Sequence, residues 1–203
     1  MTQITFRPAE TDDVEAAVPL IYSSGPEAFN YVFTDKAQEF LKYAFQDGAG
    51  EFGYRNHVVG ILNGEIVCAG AGFTGETTLA FTIAAARQIL SFYGVNGIGV
   101  IIRGLRIEQI IKPPSNTLYV VAHLGVKPEL RGQGIGTQLV THLLSEQFIT
   151  GIKMAALDVA VTNPRAQALY ERMGFTTTET IKSSLSNQWG TVVNHRRMEK
   201  PLK

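Results

Sequence analysis

Residues 125–140 read GVKPELRGQGIGTQLV, with glycines at 132, 134 and 136 between two patterned segments. Before them lies the apolar run LYVVAHLGV; after them Leu139, Val140, Leu143, Leu144 and Phe148 recur at helical spacing from about Gly134 to Phe148. A β-rich run, a glycine turn and an amphipathic helix make a strand-to-helix unit, which needs a sheet to join and a helical layer to cover it. Alternating glycines let the backbone take angles closed to other residues and bring its N–H groups close to a ligand. The first turn of the helix adds unpaired donors and partial positive charge. This construction suits a phosphate or pyrophosphate, although an ordinary strand-to-helix turn would look the same from these residues alone.

The flanking segments supply the rest of an α/β fold. ITFRPAE reads as a first strand, and Thr11, Asp12 and Asp13 start a helix through Val14, Ala17, Val18 and Ile21, with Pro19 as a potential kink. A second helix is predicted from about Asp35 to Phe45, ending near Asp47 and Gly48. HVVGIL and EIVCAGAGF flank Asn63-Gly64, the strongest short hairpin signal. From about Thr74 to Pro114 the pattern turns helical, with Leu79, Ile83, Ala86, Ile89 and Leu90, a glycine-rich break, then Ile102, Leu105, Ile107 and Ile110. AALDVAV follows as a strand, Pro164–Met173 as a short helix, and FTTTETI and TVVNHRRMEK as late strands. Hairpin and crossover connections together predict a mixed sheet. At 203 residues, one folding unit spanning residues 1–203 is expected.

Composition narrows the partners. Lys+Arg and Asp+Glu both number 18, so the chain as a whole has no long-range attraction for nucleic acid or an anionic membrane, and any anion site must be local. The apolar window QILSFYGVNGIGVII is too short to span a bilayer and is interrupted by Asn96 and glycines. MTQITFRPAE does not look like a secretory signal, and the lone Cys68 fits a buried small hydrophobe in a reducing compartment, so a cytoplasmic location without membrane, nucleic-acid or metal partners is expected.

Two familiar phosphate loops fit poorly. A Walker loop needs lysine where Thr137 follows Gly136, and a dinucleotide fingerprint needs G-x-G-x-x-G rather than the G-x-G-x-G found here. LGVKPELRGQGIGTQLV instead resembles the acetyl-CoA loop of the GNAT superfamily of N-acetyltransferases, with its Gln/Arg-x-x-Gly-x-Gly/Ala pattern filled by Arg131, Gly134 and Gly136. VTNPRAQALYERMGF is similar to the family's later segment at Asn163, Ala166, Leu169, Tyr170, Gly174 and Phe175. The resemblance covers about residues 118–176; residues 74–114 have no counterpart in the minimal family pattern. It implies a mixed, mostly antiparallel central sheet flanked by helices, with a helical insertion before the cofactor-binding strand.

The resemblance also assigns roles. The backbone of Arg131, Gly132, Gln133, Gly134, Ile135, Gly136 and Thr137 would hold the pyrophosphate of coenzyme A, and Leu124, Gly125 and Val126 would pair with its pantetheine arm like an added strand. Asn163 and Ala166 belong to the same cofactor surface, although Asn163 before Pro164 is also an ordinary helix cap. Tyr170 falls at core spacing with Leu169 and Met173, and the resemblance makes it the acid that reprotonates the departing thiolate, besides touching the cofactor. Transfer of acetyl from acetyl-CoA to an amine also needs a base.

His123 is the histidine on the strand leading into the loop. Strand parity sets it with Val121, on the face opposite Val120, Ala122 and Leu124, whereas bases of related enzymes correspond to the even set; a bulge would reverse that parity. Otherwise a water chain or a group such as Glu51 serves. His57, His142 and His195 lie in no motif and read as surface or structural residues. The reading is an acetyl-CoA-dependent N-acetyltransferase acting on a small-molecule or peptide amine. A non-catalytic CoA-binding sensor or interaction module, which needs neither acid nor base, is the rival. Residues 74–114 are expected to line or lid the acceptor entrance, or else to form a homodimer contact.

Overall fold

The computed structural model describes residues 4–115, 117–145 and 152–202. Its centre is a seven-stranded sheet in the order β1-β2-β3-β4-β5-β7-β6. The strands are β1 (Thr5–Pro8), β2 (His57–Leu62), β3 (Glu65–Phe73), β4 (Leu118–Val126), β5 (Met154–Ala160), β6 (Thr176–Ile181) and β7 (His195–Pro201). Only β4 and β5 pair in parallel; every other neighbouring pair is antiparallel. The β2–β3 hairpin turns at Asn63 and Gly64, whose φ values of 53° and 82° are those of a type I′ turn, as the Asn-Gly pair predicts.

Helices cover both faces. On one lie α1 (Val14–Ser23), α2 (Pro26–Phe33), α3 (Ala37–Asp47), α4 (Thr78–Tyr93) and α5 (Gly97–Ile107). The other carries α6 (Ile135–Ser145) and α7 (Pro164–Arg172). The helix from Thr11 opens as a 3-10 turn in which Asp13 accepts from the Glu10 amide and pairs with Arg7 at 2.6 Å. Pro19 sits inside α1 and does not stop it. Helix α3 ends on Gly48 at φ 77°, the left-handed cap its sequence calls for. Helix α2, opened by Pro26 at the first position, is an element the sequence pattern does not announce. Residues 146–148 of the helix expected to reach Phe148 lie outside the described residues.

The two layers enclose separate cores. Val18, Ile21, Leu41, Phe45, Val59 and Ala69 fill one between α1, α3 and the sheet, while Phe33, Phe40, Ile89 and Val100 join α2, α3, α4 and α5. Beneath α6 and α7 lie Leu139, Leu143, Tyr119 and Val121 on one side and Val140, Leu157, Phe175 and Met198 on the other. Cys68 is fully buried and burial pushes its thiol up to about 12, which leaves it an inert apolar side chain.

The region between β3 and β4 is helical, as its periodicity predicts. Gly75–Ile107 has the length and hydropathy of a bilayer-crossing helix, but Gly94 at φ 56° breaks it into helices of 16 and 11 residues that pack on one another. The apolar stripe Leu79, Ile83 and Leu90 points outward, and so do Ile98, Ile102 and Leu105. Ala84, Gln88, Ile89 and Val100 supply the buried side instead.

Candidate functional site

The glycine loop leaves β4 at Val126 and enters α6 at Ile135. Gly132 and Gly134 hold φ values of 80° and 82°, and a Cβ at either would meet nothing within 4 Å. The two glycines are therefore required by backbone angle and border open space, the condition for a ligand to approach the main chain. The first intrahelical bond runs from Gln138 N–H to Gly134 O, so the amides ahead of it in this turn lack a helical partner. Gly136 faces inward, where a Cβ would touch Leu169 of α7 and Val126. The Arg131 guanidinium is exposed and donates through Nε to Val126 O at 3.1 Å, tying the loop to the end of β4.

Beside this turn the sheet opens. The β4–β5 pairing runs from Leu118↔Met154 to Val120↔Ala156, after which β5 pairs only with β7. The edge of β4 that carries Leu124, Gly125 and Val126 is held by β3 on its other side through Ala69↔Gly125 and Cys68↔Val126. A wedge thus separates the ends of two parallel strands, with main-chain groups along one wall and the α6 N-terminus at its mouth. Gly125 is fixed by packing from behind, because a Cβ there would overlap Leu20 O at 2.1 Å. Tyr170, with Ala166 and Met173, packs against the core beneath α6 and α7, in the same cluster as Leu124. Its ring meets Phe175 edge-on at 6.2 Å, and burial pushes its phenol up to about 12. Asn163 caps α7 by accepting from Ala166 N–H at 3.2 Å, the ordinary reading of an Asn-Pro pair.

The parity expected for His123 is reversed by a bulge. Between Ala71↔Ala122 and Ala69↔Gly125, β3 advances two residues and β4 three. The added residue bends the strand at His123, whose φ of 56° is left-handed, an uncommon region in which histidine is among the more tolerated residues. His123 consequently joins Val120 and Ala122 on the α1–α5 face, while Leu124 turns to α6. Its side chain is 8% exposed and is walled by Phe29 of α2, Phe52 and Phe73.

Three polar contacts run through this aromatic setting. His57 Nδ1 lies 3.0 Å from Gly53 O, His57 Nε2 lies 3.1 Å from His123 Nδ1, and His123 Nε2 lies 3.3 Å from Glu51 Oε1. The two imidazoles stack nearly parallel, with ring centroids 5.3 Å apart. The sheet register explains the meeting: His57, Ala71 and Ala122 are cross-strand partners on one row, and the small Ala71 between them lets the rings close over it. His57 is 1% exposed, and burial first, then the neighbouring His123, pushes it down to about 3, so it is neutral. Glu51 is half-exposed. Glu108, just past α5, is raised by burial and secondarily by the charge of Glu51, so the two carboxyls lie near one another.

The structure therefore brings together His123 and Glu51, offered by sequence as alternative bases, and adds His57, which sequence reading left among residues outside any motif. The signal available for the loop was GAGEFG between helix and strand, a glycine-dense turn carrying one acid. Of the other histidines, His142 stacks on Phe6 and His195 is buried with Nδ1 at 2.8 Å from Val193 O. Among the described residues no group of three or more His, Cys, Asp or Glu side chains could hold a metal.

Comparison with known proteins bears on the family and the fold. Residues 53–175 match the model of the acetyltransferase (GNAT) family. Over 70 residues, 34% of this chain and 46% of the relative, the sequence is 34% identical to a 5-NmdU N-acetyltransferase of Pseudomonas phage PaMx11. Over 53 residues, 26% of this chain and 36% of the relative, it is 38% identical to the ribosomal protein bS18-alanine N-acetyltransferase of Escherichia coli strain K12. The matches thus span less than half of either relative. An N-acetyltransferase from Staphylococcus aureus Mu50 has the same fold at a TM-score of 0.72 and 17% identity, covering 97% of this chain and 100% of that one. A phosphinothricin acetyltransferase from Sinorhizobium meliloti, solved in complex with AcCoA, superposes at 0.61 and 18% identity, covering 100% of this chain and 89% of its own.

Proposed function

Because the chain belongs to the acetyltransferase (GNAT) family, we propose that it transfers the acetyl group of acetyl-CoA to an amine of a small molecule or peptide by direct attack, in the cytoplasm. One observation carries the reading. Strand β4 ends in an open glycine turn at a helix N-terminus and, at its bulge, turns His123 toward the helical face across the sheet. An anion cradle and a proton acceptor are thereby fixed to the same strand.

Acetyl-CoA supplies an activated acyl carbon, whose C–S bond breaks as the C–N bond forms. The backbone amides of Arg131–Thr137 hold its phosphates, and the β4 edge at Leu124–Val126 aligns its extended arm as an added strand would. An amine near pKa 10.4 enters as the ammonium and must lose a proton before its nitrogen can attack. His123 Nε2 accepts that proton. Tyr170, which keeps its own proton at neutral pH, gives it to the leaving thiolate and regains one from solvent, while the acylated nitrogen sheds its second proton to solvent as the intermediate collapses. The sum is one amide, one free thiol and one proton released.

The test is turnover of acetyl-CoA with an alanine-terminal peptide, a lysine peptide and spermidine, read as free thiol and as acetylated product. Thiol and product should appear in equal amounts with at least one acceptor. Tight CoA binding without turnover on any amine would identify a binding module instead.

A further inference from the structure

We infer that His57 is a positioning residue for the transfer: by accepting a hydrogen bond from His123 Nδ1–H, it holds that imidazole in the tautomer whose Nε2 is the base. The inference deepens the proposed function and rests on His123 being the base.

The argument is an accounting of protons along three contacts. Gly53 O can only accept, so His57 Nδ1 carries the hydrogen in their 3.0 Å contact. A neutral imidazole has one N–H, which leaves His57 Nε2 as an acceptor. The hydrogen in the 3.1 Å contact therefore belongs to His123 Nδ1, and the lone pair of His123 lies on Nε2, facing Glu51. Burial holds His57 neutral at any pH near 7, so it does not compete for the proton.

Nothing else at the site favours this tautomer. Glu51 is an acceptor beside His123 Nε2 and by itself draws the hydrogen onto that nitrogen, which would turn the lone pair inward, toward His57. Phe29, Phe52 and Phe73 offer no polar atom. Glu51 is itself near a second carboxyl, Glu108 at the end of α5. His57 thus opposes Glu51 until the substrate arrives. An ammonium then gives its proton to Nε2, the amine keeps the electron pair of that N–H bond for attack, and the resulting imidazolium is bracketed by His57 Nε2 and the Glu51 carboxylate. The half-exposed Glu51 provides the way out to solvent.

The test combines ¹⁵N NMR of histidine-labelled protein with steady-state kinetics. In the wild type at a pH where His123 is neutral, its ring nitrogens should report Nδ1–H and a bare Nε2. His57→Leu fills the space without an acceptor and should move His123 to the Nε2–H form, lowering kcat about tenfold or more while KM for acetyl-CoA stays within about twofold. His57→Gln, whose amide oxygen can accept from Nδ1–H, should recover most of the rate and the original tautomer. A wild-type spectrum with Nε2–H on His123 overturns the inference, even if His57→Leu fails to fold, and so does a folded His57→Leu with unchanged tautomer and kcat. His123→Ala separates the two levels. Unchanged kcat in that variant defeats the base assignment itself, whereas a large loss there beside an unaffected His57→Leu defeats only the role of His57.

Discussion

The phenol of Tyr170 is a core side chain and a candidate acid at once, and the two roles separate on a single oxygen. Its ring packs beneath α6 and α7 beside Phe175, while its hydroxyl has no hydrogen-bond partner among the described residues. Desolvation disfavours the phenolate, which raises the group to about 12 and keeps the proton in place at pH 7. Tyr170→Phe preserves the ring and removes the proton. General acid catalysis is worth about 10²–10⁴ in rate, and because a thiolate leaves fairly well unaided, a loss in kcat near the lower end is expected. KM for acetyl-CoA should move far less, since the lost interaction belongs to the transition state. Rapid-mixing kinetics that isolate the chemical step would check this; a wild-type rate there would return Tyr170 to packing alone. Asn163, by contrast, already has its side chain engaged as a cap.

The loop between α3 and β2 is the element on which the histidine row depends, because it carries Glu51, Phe52 and the Gly53 carbonyl. Gly50 holds φ 71°, and a Cβ on Gly53 would lie 2.3 Å from Gly48 C. Gln88 of α4, 2% exposed, clamps the loop by donating to Asp47 Oδ1 at 2.8 Å and Ala49 O at 3.0 Å, and Asn56 Nδ2 reaches Gly50 O at 2.7 Å. Gln88→Leu takes this donor from the Ala49 carbonyl and leaves Asp47 Oδ1 to Arg87 alone, and should cost about 1 kcal/mol or more in stability. Urea titration should read that loss, and amide exchange at residues 48–53 should quicken; unchanged exchange there would mean that Asn56 and the glycines hold the loop unaided. The strands, the Asn63-Gly64 hairpin and the glycine turn were legible in the sequence because each depends on local periodicity or on a left-handed angle with its own residue signature. The bulge at His123 was not, since counting parity assumes equal advance on both strands, and only β3 and β4 together show otherwise. His57 was hidden for a related reason: its partner lies 66 residues away, and the row that joins them exists only once the register is set.

At the scale of the whole molecule, α4 and α5 have two faces with different consequences. The inner face belongs to the site: Phe81 meets Phe73 edge-on at 5.1 Å, Phe73 meets His123 at 5.7 Å, and Gln88 holds the loop of Glu51. The outer face carries Leu79 at 72%, Ile83 at 62%, Val95 at 85% and Ile98 at 61% exposure, together with Leu90, Ile102 and Leu105. Helical spacing identifies an apolar stripe without saying what it meets, and so left open whether this segment lines the acceptor entrance or forms a contact between copies. A contiguous apolar surface of this kind marks a site of contact. Since the inner face packs on Phe73 and on the loop of Glu51, a lid role predicts that ordering of the pair follows addition of the substrates. Hydrogen exchange across residues 78–107 should therefore slow on adding acetyl-CoA with a competent acceptor, and by the same amount at two protein concentrations differing tenfold or so. Protection that tracks protein concentration and ignores both substrates would instead mean that a second copy of the chain covers the outer face, making α4 and α5 a dimer contact rather than a lid.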